Sequence, residues 1–377
     1  MNLKIDTDRT YAVTLEGGGA KGAYQVGAWR ALDEAGVKYN AVSGSSVGAL
    51  NGAMMAMRDL DKARELWGDI NFSKVMDVND SVMKRLFIGD YFGITPGDIA
   101  KKAVSLVKEG GFDVTPLRNL LKSVVDEGVI RRSDVELFIV TYSKTDKREL
   151  DLDAKKLDDG EIIDMLLASA YFPAFKHETL RGKSYTDGGV KDVFPINSLL
   201  SRGYRDIIAI RIYGVGIEKR VKIPKDARIT TIAPLQSLGS VLNFGQEQCR
   251  RNMALGYYDA QRVLYGLYGR KYYIDRTMSE RDAYNILSKL VEQYYGMQST
   301  SIRTINEELL PRLARKCGGG RGDYYDVFID FIEDAADGLG IYEFGVYTDK
   351  KLYQIIASEA AKPRRGMNTG ASKYLIK

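Results

Sequence analysis

Ala41-Val42-Ser43-Gly44-Ser45-Ser46-Val47-Gly48-Ala49-Leu50 is the stretch on which the fold of this chain turns. Its first three residues read as the end of a short buried strand. The residues after Gly48 carry Leu50, Met54 and Met57 at helical spacing. Between them lies the pattern G-x-S-x-G, a strand-to-helix turn so sharp that the serine hydroxyl is pushed outward. The helix that follows turns its positive end toward that hydroxyl. Ser46, and not Ser45, holds the central position between Gly44 and Gly48. The pattern also arises in ordinary glycine-rich turns, so its weight depends on its neighbours.

Upstream, Tyr11–Leu15 reads as a buried strand that runs into Glu16-Gly17-Gly18-Gly19-Ala20-Lys21-Gly22. A helix follows, with Ala23, Val26, Trp29, Ala31 and Leu32 as its apolar positions and Gly36 as its stop. Strand, glycine loop, helix, strand, turn, helix is the start of a parallel α/β sheet. The glycine run exposes successive backbone N–H groups at a helix N-terminus, where negative charge is favoured. Three uses compete. A P-loop is excluded, because Lys21 is followed by Gly22 and not by Ser or Thr. Gly17, Gly19 and Gly22 fit G-x-G-x-x-G, which keeps a dinucleotide-binding oxidoreductase as an alternative. That fold wants an acid at the end of the second strand, and Ala41-Val42-Ser43-Gly44 supplies none. The third use, an oxyanion hole, is the one the G-x-S-x-G turn favours.

A serine nucleophile needs a base. The chain holds one histidine, His177, which rules out a His-rich metal site and any mechanism using two histidines. Serine elbows of this kind run Ser, Asp, His in chain order. Here His177 precedes the best acid and lies on an expected hairpin, Phe175–Thr186, that turns at Arg181-Gly182-Lys183. The acid is Asp187, in Thr186-Asp187-Gly188-Gly189. The expectation is a Ser46–Asp187 dyad with direct proton transfer and a structural or exposed His177. The plain alternative for Asp187 is an Asp-Gly turn residue. A free aspartate titrates near ~3.9, so this base needs desolvation to raise it.

Taken in order, these segments resemble the patatin-like phospholipases of bacterial type. Ala168-Ser169-Ala170-Tyr171-Phe172-Pro173-Ala174-Phe175 resembles the family's segment before its aspartate. The resemblance covers Tyr11 to Asp206 and extends toward Tyr258; Glu16 departs from it, since the plant enzymes carry aspartate there. It implies a three-layer α/β/α sandwich with a mostly parallel central sheet, no metal or other cofactor, and hydrolysis of acyl esters of phospholipids or related lipids. It further implies oxyanion donors in the amides of Gly18 and Gly19, with Gly17 and Gly22 shaping the loop. A non-catalytic lipid-binding scaffold is a further alternative, against which the intactness of all three motifs counts.

The 377 residues divide, on this reading, into an acyl hydrolase domain at 10–265 and a smaller, mainly helical region at 266–377 with a loose basic tail from Lys362. Within the first, 59–134 reads as a variable, lid-like insertion. It holds the apolar cluster Val82-Met83 and Leu86-Phe87-Ile88 and a helix at Asp98–Lys108. Further strands are expected at Leu137–Thr141, Ile207–Ile210 and Ile229–Ile232, and a helix at Glu161–Ala170. A net charge of +5 permits attraction to an anionic membrane but lacks the dense basic stripe that nucleic acid requires. No apolar run approaches the ~20 residues of a membrane span. The two cysteines form no metal or disulfide pattern, and Met1–Arg9 has no apolar secretory core. Together these suggest a cytoplasmic protein that meets its acyl-lipid substrate from the water side, in peripheral contact with the inner membrane surface. Lys21 is a candidate contact for a substrate phosphate, and Lys101, Lys102 and Lys108 are candidate membrane contacts.

Overall fold

The computed structural model describes residues 1–81, 83, 111–171, 175–176, 178–295, 301–318 and 322–362. The expected helix Asp98–Lys108 with its lysines, the cluster Leu86–Ile88, His177 and the tail beyond Lys362 lie outside the described residues. The chain divides into two compact units, Ile5–Ala260 and Met1–Lys4 with Gln261–Lys377.

In the first unit, β1 (Thr10–Leu15), β2 (Lys38–Ser45) and β3 (Glu136–Ser143) pair in parallel, and β7 (Asp206–Ile210) and β8 (Arg228–Ile232) continue the sheet beyond β1. The parallel order is therefore β3-β2-β1-β7-β8. Tyr11–Leu15 is buried throughout, as a strand covered on both faces must be. Leu15, Val42 and Leu137 lie against Gly52 of the helix Val47–Ala56. The alternate residues Ala12, Ala41, Phe138, Ile207 and Ala209 form a second cluster with Leu199 and Leu200 of the helix Ile196–Ser201. Strand alternation thus places helices on opposite faces, and the unit is a three-layer α/β/α sandwich. The expected helix at 161–170 is observed at Glu161–Ser169.

Antiparallel strands finish the β3 edge: β4 (Arg148–Asp153), β5 (Thr179–Leu180) and β6 (Lys183–Thr186). The β5–β6 hairpin is the one read from the sequence. β4 was not expected. Its sequence, Arg-Glu-Leu-Asp-Leu-Asp, has no buried residue, and its charges mark a sheet edge rather than a core strand.

The second unit is mainly helical. The helix Glu280–Tyr295 buries Ala283, Leu287, Leu290 and Val291, one face at the 3.6-residue period. It shares a core with the helices Tyr324–Gly338 and Asp349–Ala360. Tyr272, Tyr273 and Tyr325 from the tyrosine pairs are buried. A short parallel pair, Tyr273–Asp275 with Val346–Thr348, adds strands that helical spacing did not suggest. Among the described residues, no helix is long and apolar enough to cross a membrane.

Candidate active site

The site forms where two strands meet end to end along one edge of β3. β2 follows that edge until Ser45 pairs with Val140. β6 takes over two residues further on, antiparallel, with Thr186 opposite Tyr142. The other edge of β3 at Tyr142 and Ser143 is occupied by β4, so β2 and β6 share one side with their C-terminal ends facing. The next residue of each is Ser46 and Asp187. The Ser46 hydroxyl donates to Asp187 Oδ2 at 2.6 Å.

Ser46 sits at φ 54° and ψ −128°, a backbone state that costs a non-glycine residue about 1–3 kcal/mol. The surroundings that impose it explain the two glycines of the motif. A Cβ on Gly44 would stand 2.3 Å from the carbonyl carbon of Gly48, and one on Gly48 would stand 2.3 Å from the carbonyl oxygen of Leu15. The turn closes because neither atom is there. The Ser46 amide donates to Ser169 Oγ at 2.8 Å, and that hydroxyl donates to the Val140 carbonyl at 2.6 Å. Ser169 therefore ties the turn to β3 from a fully buried position. Sequence reasoning passed over it. Its signal was a small polar residue at the end of a helix otherwise buried on its apolar side. Ser169→Ala would leave the Ser46 amide without that acceptor, a cost of about 1–3 kcal/mol. We expect kcat on a soluble ester to fall about tenfold with KM little changed; an unaltered kcat would remove Ser169 from the positioning of Ser46.

Asp187 is 7% exposed. Burial pushes its carboxyl up to about 6, against the hydrogen bonds from Ser46 and from the Gly189 amide, which hold it down. The Gly189 amide donates to Oδ1 at 2.7 Å, so each carboxylate oxygen has a donor. Gly188 packs beneath this turn, close to the Val140 carbonyl and Ser45 Oγ.

The glycine loop closes the third side. The Gly17 amide donates to the Val193 carbonyl at 2.8 Å and the Ala20 amide to the Val241 carbonyl at 2.8 Å. The amides of Gly18 and Gly19 have no acceptor among the described residues, and both glycines line the same cavity as Ser46. Buried Glu16 anchors the loop. Its carboxylate accepts from the amides of Ile212 (2.8 Å), Tyr213 (3.1 Å) and Gly214 (3.2 Å) and pairs with Arg211 at 2.9 Å. Gln25 and Asn51 brace it from behind: Gln25 donates to the Glu16 carbonyl at 2.6 Å, and Asn51 donates to the Gly22 carbonyl at 2.9 Å. Lys21 Nζ donates to the Tyr213 carbonyl at 2.6 Å and is not among the cavity-lining residues. Burial lowers its pKa, with Glu16 opposing.

The cavity has a volume of about 330 Å³, within the range of small-molecule sites. Its lining includes Ser46, Leu50 and Met54 of the helix Val47–Ala56, and Trp67, Leu117 and Leu121. Those last three belong to the helices Leu60–Gly68 and Thr115–Val124, which flank the residues left undescribed within 59–134. Asp187 is its one ionisable lining residue among those described.

Residues 13–200 match the family model described as patatin-like phospholipase. A 53-residue stretch is 49% identical to lysophospholipase nte1 of Aspergillus terreus, covering 14% of this chain and 3% of that protein. A 67-residue stretch is 40% identical to patatin-like phospholipase domain-containing protein 6 of Homo sapiens, covering 16% of this chain and 5% of that one. The matched stretches thus span a few per cent of these relatives' length. Among solved structures, VipD from Legionella pneumophila aligns with a TM-score of 0.43 at 14% identity, covering 97% of this chain and 89% of that one. The type III effector protein ExoU aligns with a TM-score of 0.33 at 13% identity, covering 97% and 76%.

Proposed function

From a chain that belongs to the patatin-like phospholipase family through its residues 13–200, we propose an enzyme that hydrolyses the carboxylic ester bonds of phospholipids or related acyl lipids. Ser46 Oγ attacks the ester carbonyl carbon as its proton passes to Asp187. The carbonyl oxygen takes up the electron pair and is held by the amides of Gly18 and Gly19, each worth roughly 10²–10³ in rate. Collapse of the tetrahedral intermediate releases the alcohol, which takes the proton from Asp187. Water then attacks the acyl-enzyme and gives a proton to the same carboxylate, which passes it to Ser46 Oγ as the fatty acid leaves. The observation that carries this reading is the 2.6 Å hydrogen bond between Ser46 and a buried carboxylate, in a largely apolar cavity that suits an acyl chain. Covalent labelling by a fluorophosphonate, mapped by mass spectrometry, is the test. An adduct on Ser46 supports the proposal, and labelling elsewhere or not at all defeats it.

Two expectations follow from the geometry. The base must be unprotonated to accept the serine proton, and its carboxyl stands at about 6. On a soluble ester, kcat/KM should therefore rise about tenfold per pH unit below about 6 and level off above it. A flat profile across that range would show that Asp187 is not the base. The cavity should also set acyl length. Leu121 is 3% exposed and lines it. Leu121→Trp should lower the preference for palmitoyl over butyryl esters by at least about tenfold, read as the ratio of kcat/KM values.

A further inference from the structure

Where β7 ends, the chain runs without regular structure from Tyr213 to Lys225 before β8 begins. Large apolar side chains stand in solvent along it: Tyr213 is 56% exposed, Val215 72%, Ile217 57% and Ile223 53%. Interleaved with them are Lys219, Arg220, Lys222 and Lys225, against one acid, Glu218. Lys219 pairs with Glu149 at 2.5 Å and Glu218 with Arg211 at 2.7 Å. Arg220, Lys222 and Lys225 enter no ion pair among the described residues.

This surface is built into the site. Val215 and Gly216 line the cavity that holds Ser46. The Ile217 amide donates to the Gly189 carbonyl at 2.9 Å, and the Ile217 carbonyl accepts from the Val193 amide at 2.8 Å. At its start, the run is fixed by the three amides that Glu16 holds. Tyr213–Ile217 is therefore a fixed segment continuous with the cavity lining, and the basic side chains with Ile223 follow directly after it.

We infer that Tyr213–Lys225 is the surface through which the protein docks on an anionic lipid bilayer. Ile217 and Ile223 enter the boundary between head groups and acyl chains, and Arg220, Lys222 and Lys225 meet the phosphates. Apolar side chains interleaved with unspent cations match that interface, which is apolar a few ångströms below a layer of negative charge. Docked this way, the Val215 edge of the cavity faces lipid, and a chain reaches Ser46 without crossing water. The inference deepens the hydrolase reading, since it supplies that site with substrate; docking itself needs no catalysis.

The test uses the full chain carrying Ser46→Ala and vesicles of phosphatidylcholine, alone or mixed equally with phosphatidylglycerol. Binding is read by sedimentation. The mixed vesicles should bind far more tightly, and added salt should weaken that binding. Arg220→Gln, Lys222→Gln and Lys225→Gln together should reduce it roughly fivefold for each cation removed. Ile223→Ser should weaken binding to both vesicle types. With Ser46 restored, each of these variants should lose hydrolysis of vesicle phospholipid in proportion to binding, yet cleave a butyryl ester in solution as the unsubstituted chain does. Equal binding to both vesicle types, or full binding by the triple Gln variant, overturns the docking surface. If binding follows the loop but no ester is cleaved, the hydrolase reading fails and the docking surface stands.

Discussion

Ser46→Ala is expected to lower ester hydrolysis by on the order of 10⁴–10⁶, the scale seen when a nucleophile is removed from a serine hydrolase. Among the described residues, no other hydroxyl lines the cavity. Ser45 is buried beneath Gly188, and Ser169 Oγ is spent on the Ser46 amide and the Val140 carbonyl. The residual rate reports what the Gly18 and Gly19 amides achieve with water as nucleophile. The same position carries backbone strain, because φ is 54° whichever side chain is present. Ser46→Gly should thus be equally inactive but more stable than Ser46→Ala, by about 1 kcal/mol. Steady-state kinetics on a soluble ester and thermal melts of both variants check the pair of statements. An active Ser46→Ala protein would end the nucleophile assignment.

Asp187→Asn should cost nearly as much activity and should stabilise the fold. The carboxyl is raised by burial from 3.8 to about 6. A folded pKa above the unfolded one means that the neutral acid is favoured in the native state. Its contribution to stability is full below pH ~4 and is lost as the pH rises through about 6. At neutral pH the native state holds a desolvated charge at a cost of about 3 kcal/mol. Asparagine removes that charge and still offers an oxygen to the Gly189 amide. The variant should therefore melt several degrees higher than the unsubstituted protein at pH 7 and at nearly the same temperature at pH 4. Near-native turnover by Asp187→Asn would dismiss the carboxylate as base. Equal melting temperatures at pH 7 would mean that it is not desolvated.

Much of the sheet was legible because β1, β2, β3 and β7 are covered on both faces and so read as short apolar runs. β4 was not, because a strand at a sheet edge keeps its charges in water. The serine turn and the Asp-Gly-Gly turn were legible because backbone that comes this close tolerates few residue types. Ser169, Gln25 and Asn51 were not. Each is a buried polar side chain whose partners include a backbone carbonyl or amide distant in sequence, and no spacing rule encodes that. The upward displacement of the Asp187 carboxyl was legible as a need and not as a fact. It depends on residues from several distant segments closing around one turn.

The end-to-end meeting of β2 and β6 has a consequence for a chain still being made. The serine elbow leaves the ribosome about 140 residues before its acid partner, a separation of 141 positions. Until the hairpin ending at Thr186 has settled against β3, the hydroxyl has no proton acceptor beside it. On the proposed mechanism, a growing or half-folded polypeptide therefore lacks the pair that would attack an ester, and that pair is completed only with the last piece of that sheet edge.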